Sequence, residues 1–565
     1  MSLTWQERAQ KKRESIFAAI PQEWRLPEPL PSPEDQKDVT GSYVQQFLTP
    51  REIEITESDA VKITEHTTTG KWTATEVVTA FCHRAALAHQ LTNCLHEVFF
   101  DQAIERAKEL DSTFAAQNGP TGPLHGLPIS FKDQFHVKGV ETTMGYVGWI
   151  DTFEGVKGTG KERNVDSELV QEVKALGGVP FCKTSLPHTV MSGITWNHIV
   201  GFTLNSHNRL MTCGGSSGGE GTLIGMRGSP IGFGTDIGGS IRIPSAFNGL
   251  YGIRPSFGRL PYVGAANSMA GQNTIPSVCG PLATSLGALK LMFRYVLSQQ
   301  PWLHDPAVVD LPWREELCTP LPADGSKLTF GLMPNDKLVN PQPAVRRAFE
   351  TVKKLIIDMG HDVVDWDPPS HEKAIALAFE AFTADAGMDI WHHIGLSGEP
   401  LQDHIQRTYG TAAGSLGAPK TADKIWEINL RLREYQKEYM EYWNGTARQT
   451  KSGKPVDAIL TPVAPFAALQ FGNTFHIGYT PWVNTLDYTS VVFPVTQVDK
   501  TLDLYDKDYQ PWSEQDKTNW EQYDPEVQQG TPVGLQLVGR RHQEEKILGL
   551  VELLSTALAV QKKSS

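Results

Sequence analysis

At 565 residues, 40% hydrophobic and 20% charged, the chain has the make-up of an ordinary globular protein, long enough for several average domains or one large enzyme domain. A formal charge of −13 argues against a nucleic-acid or anionic-membrane surface, because both recruit basic patches. Six scattered cysteines (Cys82, Cys94, Cys182, Cys213, Cys279, Cys318) form no CxxC pair and no apolar run reaches the length of a membrane span, so reduced thiols and a cytoplasmic setting are expected.

Residues 1–59 read as a helical arm. The stretch MSLTWQERAQKKRESIF is polar and amphipathic, lacks the apolar segment of a secretory signal, and leads into Pro-rich text at 27–36. Thr73-x-x-Glu76 predicts a capping box before a helix whose inner face carries Val77, Phe81, Ala85 and Ala88. Residues 95–100 read as a strand and 101–110 as a helix. Ser167 is the predicted cap of a helix to Leu176, stopped by Gly177-Gly178 ahead of a strand at 179–182. This alternation predicts an α/β fold, with its core at 60–300. Residues 301–455 read as a helical cap over the pocket and include one long helix at 423–442. Strands at 457–462, 490–496 and 533–539 and a closing helix at 544–558 then complete the core within 456–565. The acidic, aromatic stretch 499–526 fits either a solvated insertion or a flap that gates a site.

Between 212 and 258, 14 of 47 residues are glycine. Glycine costs roughly 0.5–1 kcal/mol against Ala in a helix or strand, so this density speaks for backbone in special dihedrals or pressed against something. Interleaved Ile, Phe and Leu speak against disorder. Two turns stand out, CGGSSGGEG (213–221) and GTDIGGSIRIP (234–244), with a strand-like GLPISFKDQF (126–135) upstream. A phosphate loop would need GxxxxGK[ST], which neither turn contains, and GxGxxG is missed by one residue at Gly232, Gly234 and Gly238. Gly215-Ser216-Ser217-Gly218-Gly219 matches a nucleophile elbow with Ser217 central. That reading needs a preceding strand, and 209–213 is a poor one.

Taken together, the three motifs resemble the amidase-signature family. QLTNCLHEVF (90–99), FNGLYGIRPSFGRLPY (247–262) and GLQLVGRR (534–541) extend the likeness, in the manner of fungal acetamidases, to nearly the whole chain. The resemblance implies a single large α/β domain whose twisted mixed sheet is covered by helices on both faces. It implies Ser240 as nucleophile, Ser216 as a proton relay preceded by a cis peptide bond, and Lys132 as base. The N–H groups of Ile237, Gly238, Gly239 and Ser240 match the oxyanion hole. Asp236 matches an acid that supports this loop, Ser217 a serine that helps hold the lysine, and Arg242 a framework contact. The implied reaction cleaves a small-molecule carboxamide through an acyl-serine, with no metal and no organic cofactor. Family habit points to a homodimer. The alternative is an amidotransferase A-type subunit that feeds ammonia to a partner acting on charged tRNA.

Lysine serves as a base only when neutral. At its ordinary pKa about 1 molecule in 2,500 is neutral at pH 7, a penalty of roughly 4.6 kcal/mol that burial among hydroxyls would reduce. Asp133 must therefore point away from the Lys132 amine. The chain also departs from the fungal pattern: Ile194 and Phe202 stand where a Glu and an Arg are expected, and Asn205-Ser206 replaces Asn-Pro. Ile194 and Phe202, with Cys213, are expected to line a more apolar pocket that favours bulky or aromatic amides.

Overall fold

The computed structural model describes residues 3–564 except 320, 322–324 and 326. Its strands are β1 (Leu95–Val98), β2 (Pro128–Lys132), β3 (Val179–Thr184), β4 (Trp196–Asn197), β5 (Gly201–Phe202), β6 (Ile231–Asp236) and β7 (Tyr251–Arg254). There follow β8 (Val278–Ala283), β9 (Thr329–Leu332), β10 (Asp362–Asp365), β11 (Ala458–Pro462), β12 (Ser490–Gln497) and β13 (Pro532–Val538). Strands β4 and β5 make a small separate hairpin. The other eleven form one mixed sheet in the order β1-β3-β2-β6-β8-β7-β12-β13-β11-β9-β10.

Every residue of β2, β3, β6, β8, β11 and β13 is buried. Successive side chains of a strand point to opposite faces, so the sheet is covered on both. Helices Ala74–Thr92 and Gly218–Gly225 pack on β2 and β3, Leu286–Ser298 on β7 and β8, and Pro343–Asp358 on β11 to β13. The expected α/β class and two-sided cover are therefore present.

Local details differ from the sequence reading. Thr73 Oγ1 accepts the Glu76 N–H at 3.1 Å, but the Glu76 carboxylate turns to Arg51 at 2.8 and 2.9 Å, so only half of the capping box forms. Ser167 occupies the N-cap position of its helix as expected, but its hydroxyl makes no cap hydrogen bond. Its hydroxyl donates to the Gly264 carbonyl at 2.6 Å and accepts the His136 N–H at 2.8 Å, tying two loops together instead. The stretch 301–455 is not all cap, because β9 and β10 enter the main sheet. Its helices His371–Phe382 and Asp403–Tyr409 do reach the pocket.

The arm is held by polar contacts. In helix Trp5–Ala18, Arg8 and Arg13 donate to the carbonyls of Ile150 and Ile199, while buried Lys12 pairs with Glu97 and Glu141. Within 499–526, buried Trp520 stacks on Tyr509 with centroids 4.0 Å apart, and Arg346 of the body lies over the Trp520 ring. Among the described residues no helix is long and apolar enough to cross a membrane.

Candidate active site

Strands β2 and β6 run parallel, with Ser130 opposite Gly232 and Phe131 opposite Phe233. Their carboxyl ends therefore deliver Lys132 and Asp236 to the same edge of the sheet, the side on which parallel strands present ligands. The Gly215–Ser216 peptide bond there is cis, as expected. Ser217 follows, and its N–H holds the Ser240 carbonyl at 3.1 Å, which brings the two glycine-rich turns together.

Lys132 has no exposed surface. Its Nζ lies 2.6 Å from Ser216 Oγ and 2.8 Å from Thr235 Oγ1. Burial holds this amine well below the ordinary lysine pKa, against the upward pull of Asp236 and Glu220. Among the described residues no carboxylate pairs with it. Asp133 faces the other way, pairing with Lys183 at 2.7 Å and accepting the N–H groups of Thr143 and Met144.

Thr235 and Gln134 were not foreseen. Gln134 Nε2 donates to the Ala266 carbonyl at 2.9 Å, which fixes the amide so that its Oε1 meets Thr235 Oγ1 at 2.6 Å. The threonine proton is thereby committed to Gln134, and Thr235 can only accept from Lys132. An uncharged Lys132 then has its lone pair left for the Ser216 hydroxyl. Ser217 makes no hydrogen bond to the lysine: its Oγ bonds the Thr235 backbone carbonyl and N–H at 3.3 Å, so it positions Thr235 instead.

The Asp236 carboxylate organises the second turn. It accepts the N–H groups of Gly239 (2.8 Å) and Ile241 (3.2 Å), two contacts from Arg242 at 3.0 Å, and Asn484 at 2.9 Å. Burial alone would raise this acid, but Arg242 outweighs it and the pKa stands at about 2. The Gly239 N–H is thus spent inside the loop, which removes it from the four expected oxyanion donors. Among the described residues nothing takes the N–H groups of Ile237, Gly238 or Ser240. Gly239 has φ +128° and an added Cβ would meet Thr480 Oγ1 at 2.4 Å, whereas a Cβ on Gly238 would meet nothing within 4 Å.

Glu220 was likewise missed as a titrating group. Burial pushes its carboxyl up to about 8, opposed by hydrogen bonds from Ser130 (2.6 Å) and Thr184 (2.9 Å).

Ser240 opens onto a narrow cleft with roughly 50 Å³ of room for water-sized molecules. Met191, Ile237, Phe379, Phe382, Tyr409 and Ile477 give it an apolar wall without a charged side chain. The three residues expected to line it do not. Ile194 is buried behind the cis turn, Phe202 is 42% exposed and packs on Phe471, and Cys213 is buried under Asn248. The side chains at 194 and 202 therefore have no direct bearing on the cleft. A larger cavity of about 500 Å³ adjoins it at Ile477, lined in part by Glu514 and Thr518 of the 499–526 insertion.

The sequence profile of the family described as Amidase matches residues 76–548, which takes in both turns and the lysine strand. The chain belongs to the Amidase family. Across 99% of both chains it is 43% identical to an Acetamidase of Aspergillus oryzae, and across 98% of both chains 40% identical to an Acetamidase of Emericella nidulans. Among solved structures, Fatty acid amide hydrolase superposes with a TM-score of 0.88 at 31% identity, covering 98% of this chain and 94% of that one. This amidase is thus an amide-hydrolysing enzyme with the family's fold. Nothing in these likenesses supports the amidotransferase-subunit alternative.

Proposed function

We propose that this amidase cleaves small carboxamides through a Ser240–Ser216–Lys132 triad. Ser240 Oγ attacks the amide carbon as its proton moves to Ser216 Oγ, whose own proton passes to Lys132 Nζ. The carbonyl oxygen, now negative, is met by the N–H groups of Ile237, Gly238 and Ser240. Such donors are worth about 2.7–4 kcal/mol each in related chemistry. Collapse breaks the C–N bond, and the leaving nitrogen takes the proton back along the same relay. Water then attacks the acyl-Ser240 ester by the reverse transfer and releases the carboxylate. The observation that carries this reading is the contact of Lys132 Nζ with Ser216 Oγ at 2.6 Å in a site with no exposed lysine surface.

All of these groups come from one chain, so the scheme is the same for a monomer or a homodimer. No metal or organic cofactor takes part in it. The cytoplasm is the proposed compartment, because the six cysteines are all free and buried. The relatives' names speak for acetamide, whereas the apolar, cramped cleft speaks for a flat aromatic acyl group such as benzoyl. Values of kcat/KM for acetamide, hexanamide and benzamide decide between them: benzamide is expected to lead, and acetamide winning outright ends the apolar reading. With any substrate, Ser240→Ala and Lys132→Ala are each expected to lower kcat by at least ~10³ while the fold survives. Full activity in either variant would end the triad.

A further inference from the structure

Glu168, Glu172 and His304 meet outside the cleft. The helix Glu168–Ala175 places its two glutamates one turn apart on the same face, and His304 arrives at the end of the short turn Pro301–Leu303. His304 Nδ1 is 3.2 Å from Glu168 Oε1 and 3.7 Å from Glu172 Oε1. One donor atom from each of the three lies within 4.8 Å of the others.

Glu172 makes this more than a cluster of acids. Its side chain is 3% exposed, and neither carboxylate oxygen finds a hydrogen-bond partner among the described residues. No lysine or arginine among them pairs with Glu168 or Glu172. Asp305 adds a third negative charge, but its oxygens are taken by the N–H groups of Tyr262, Val263 and Ala307. An ionised carboxylate here is costly unless a cation joins it.

We propose that Glu168, Glu172 and His304 bind one divalent transition-metal ion of the Zn²⁺ class, stapling the 168–175 helix to the 301–305 turn. One imidazole and two carboxylates form a donor set that suits Zn²⁺ better than Ca²⁺, which takes six to eight oxygens. Zn–N and Zn–O bonds of about 2.0–2.2 Å place tetrahedral donors roughly 3.3 Å apart, close to the 3.2 and 3.7 Å that separate His304 Nδ1 from the two glutamates. The His304 side chain is 46% exposed, so the ion can reach the site from solvent and keep a water as its fourth ligand. None of the three residues lines the Ser240 cleft, so the ion is structural.

The test is titration calorimetry of the full chain with Zn²⁺ after chelator treatment, alongside thermal unfolding with and without the ion. One Zn²⁺ per chain is expected, with micromolar or tighter affinity and a raised Tm. Glu172→Gln and His304→Ala are each expected to weaken binding at least ~10-fold, while amide hydrolysis without metal stays within ~2-fold of wild type. His304→Ala changes a half-exposed side chain and keeps the test open if Glu172→Gln folds poorly. Failure of wild type to take up Zn²⁺ would mean that Glu172 is merely protonated. Equal binding by both variants would place the ion elsewhere. Either result overturns the proposal.

Discussion

Lys183 Nζ sits 2.7 Å from Asp133 Oδ1, and neither side chain has any exposed surface. The carboxylate that follows Lys132 in sequence is thereby neutralised on the far side of the strand from the Lys132 amine. Without that pairing its charge would favour an ammonium at position 132. In Lys183→Met, the pH at which kcat/KM reaches half its plateau should move up by roughly one unit. Adding Asp133→Asn should return it. An unshifted profile in the single variant would remove Lys183 from the account.

Lys132 also leaves a trace in stability. Its folded pKa lies below the unfolded value of 10.5. Between the two, the unfolded chain binds more protons than the folded one, so stability rises with pH across that window. Lys132→Met lacks this group. In urea unfolding at pH 7 and pH 10, wild type should gain more stability with pH than the variant does. Equal gains would mean that the buried amine is charged.

For Glu220 the sign is opposite. A folded pKa of about 8 against an ordinary 4.5 means that stability is lost as pH rises from 4.5 to 8. Glu220→Gln keeps partners for Ser130 and Thr184 without the ionisation. Its Tm should exceed that of wild type by a few degrees at pH 8.5 and match it at pH 4.5, with kcat within ~3-fold. A lower Tm at pH 8.5 would show that the charged form is the one the fold prefers.

Gly238 and Gly239 should respond differently to alanine. At Gly239 the positive φ and the Thr480 contact oppose any side chain, so Gly239→Ala should lose roughly 2 kcal/mol or more of stability. At Gly238 the protein leaves room, but that room is the cleft. Gly238→Ala should therefore unfold like wild type in denaturant while kcat/KM falls about 10²-fold. Wild-type activity in Gly238→Ala would argue that substrate does not approach this turn.

The residues of the proposed triad were legible because they sit in two short motifs and at one strand end, where the family resemblance is carried. Lys132, Ser216 and Ser240 needed no knowledge of distant segments to be singled out. Thr235 and Gln134 belong to the same motifs, yet hydroxyl and amide side chains are common, and only their mutual geometry marks them. Gly239 was misjudged for a related reason. Every N–H of a glycine-rich turn looks free until the Asp236 carboxylate is seen to claim one.

The pocket wall lay beyond any local reading. Ile194 and Phe202 are near the Ser216 turn in sequence, but the cis turn and the β4–β5 hairpin carry them behind or away from the cleft. Phe379, Phe382 and Tyr409 arrive from helices more than a hundred residues downstream.

The sequence by itself determined the α/β alternation and, through the resemblance that its three motifs carry, the family and the side chains of the proposed triad. Tertiary structure alone decided which donors are free, which carboxylate is turned away from Lys132, and what faces Ser240. Those are matters of burial and pairing, and burial and pairing are set by segments that meet only when the sheet closes.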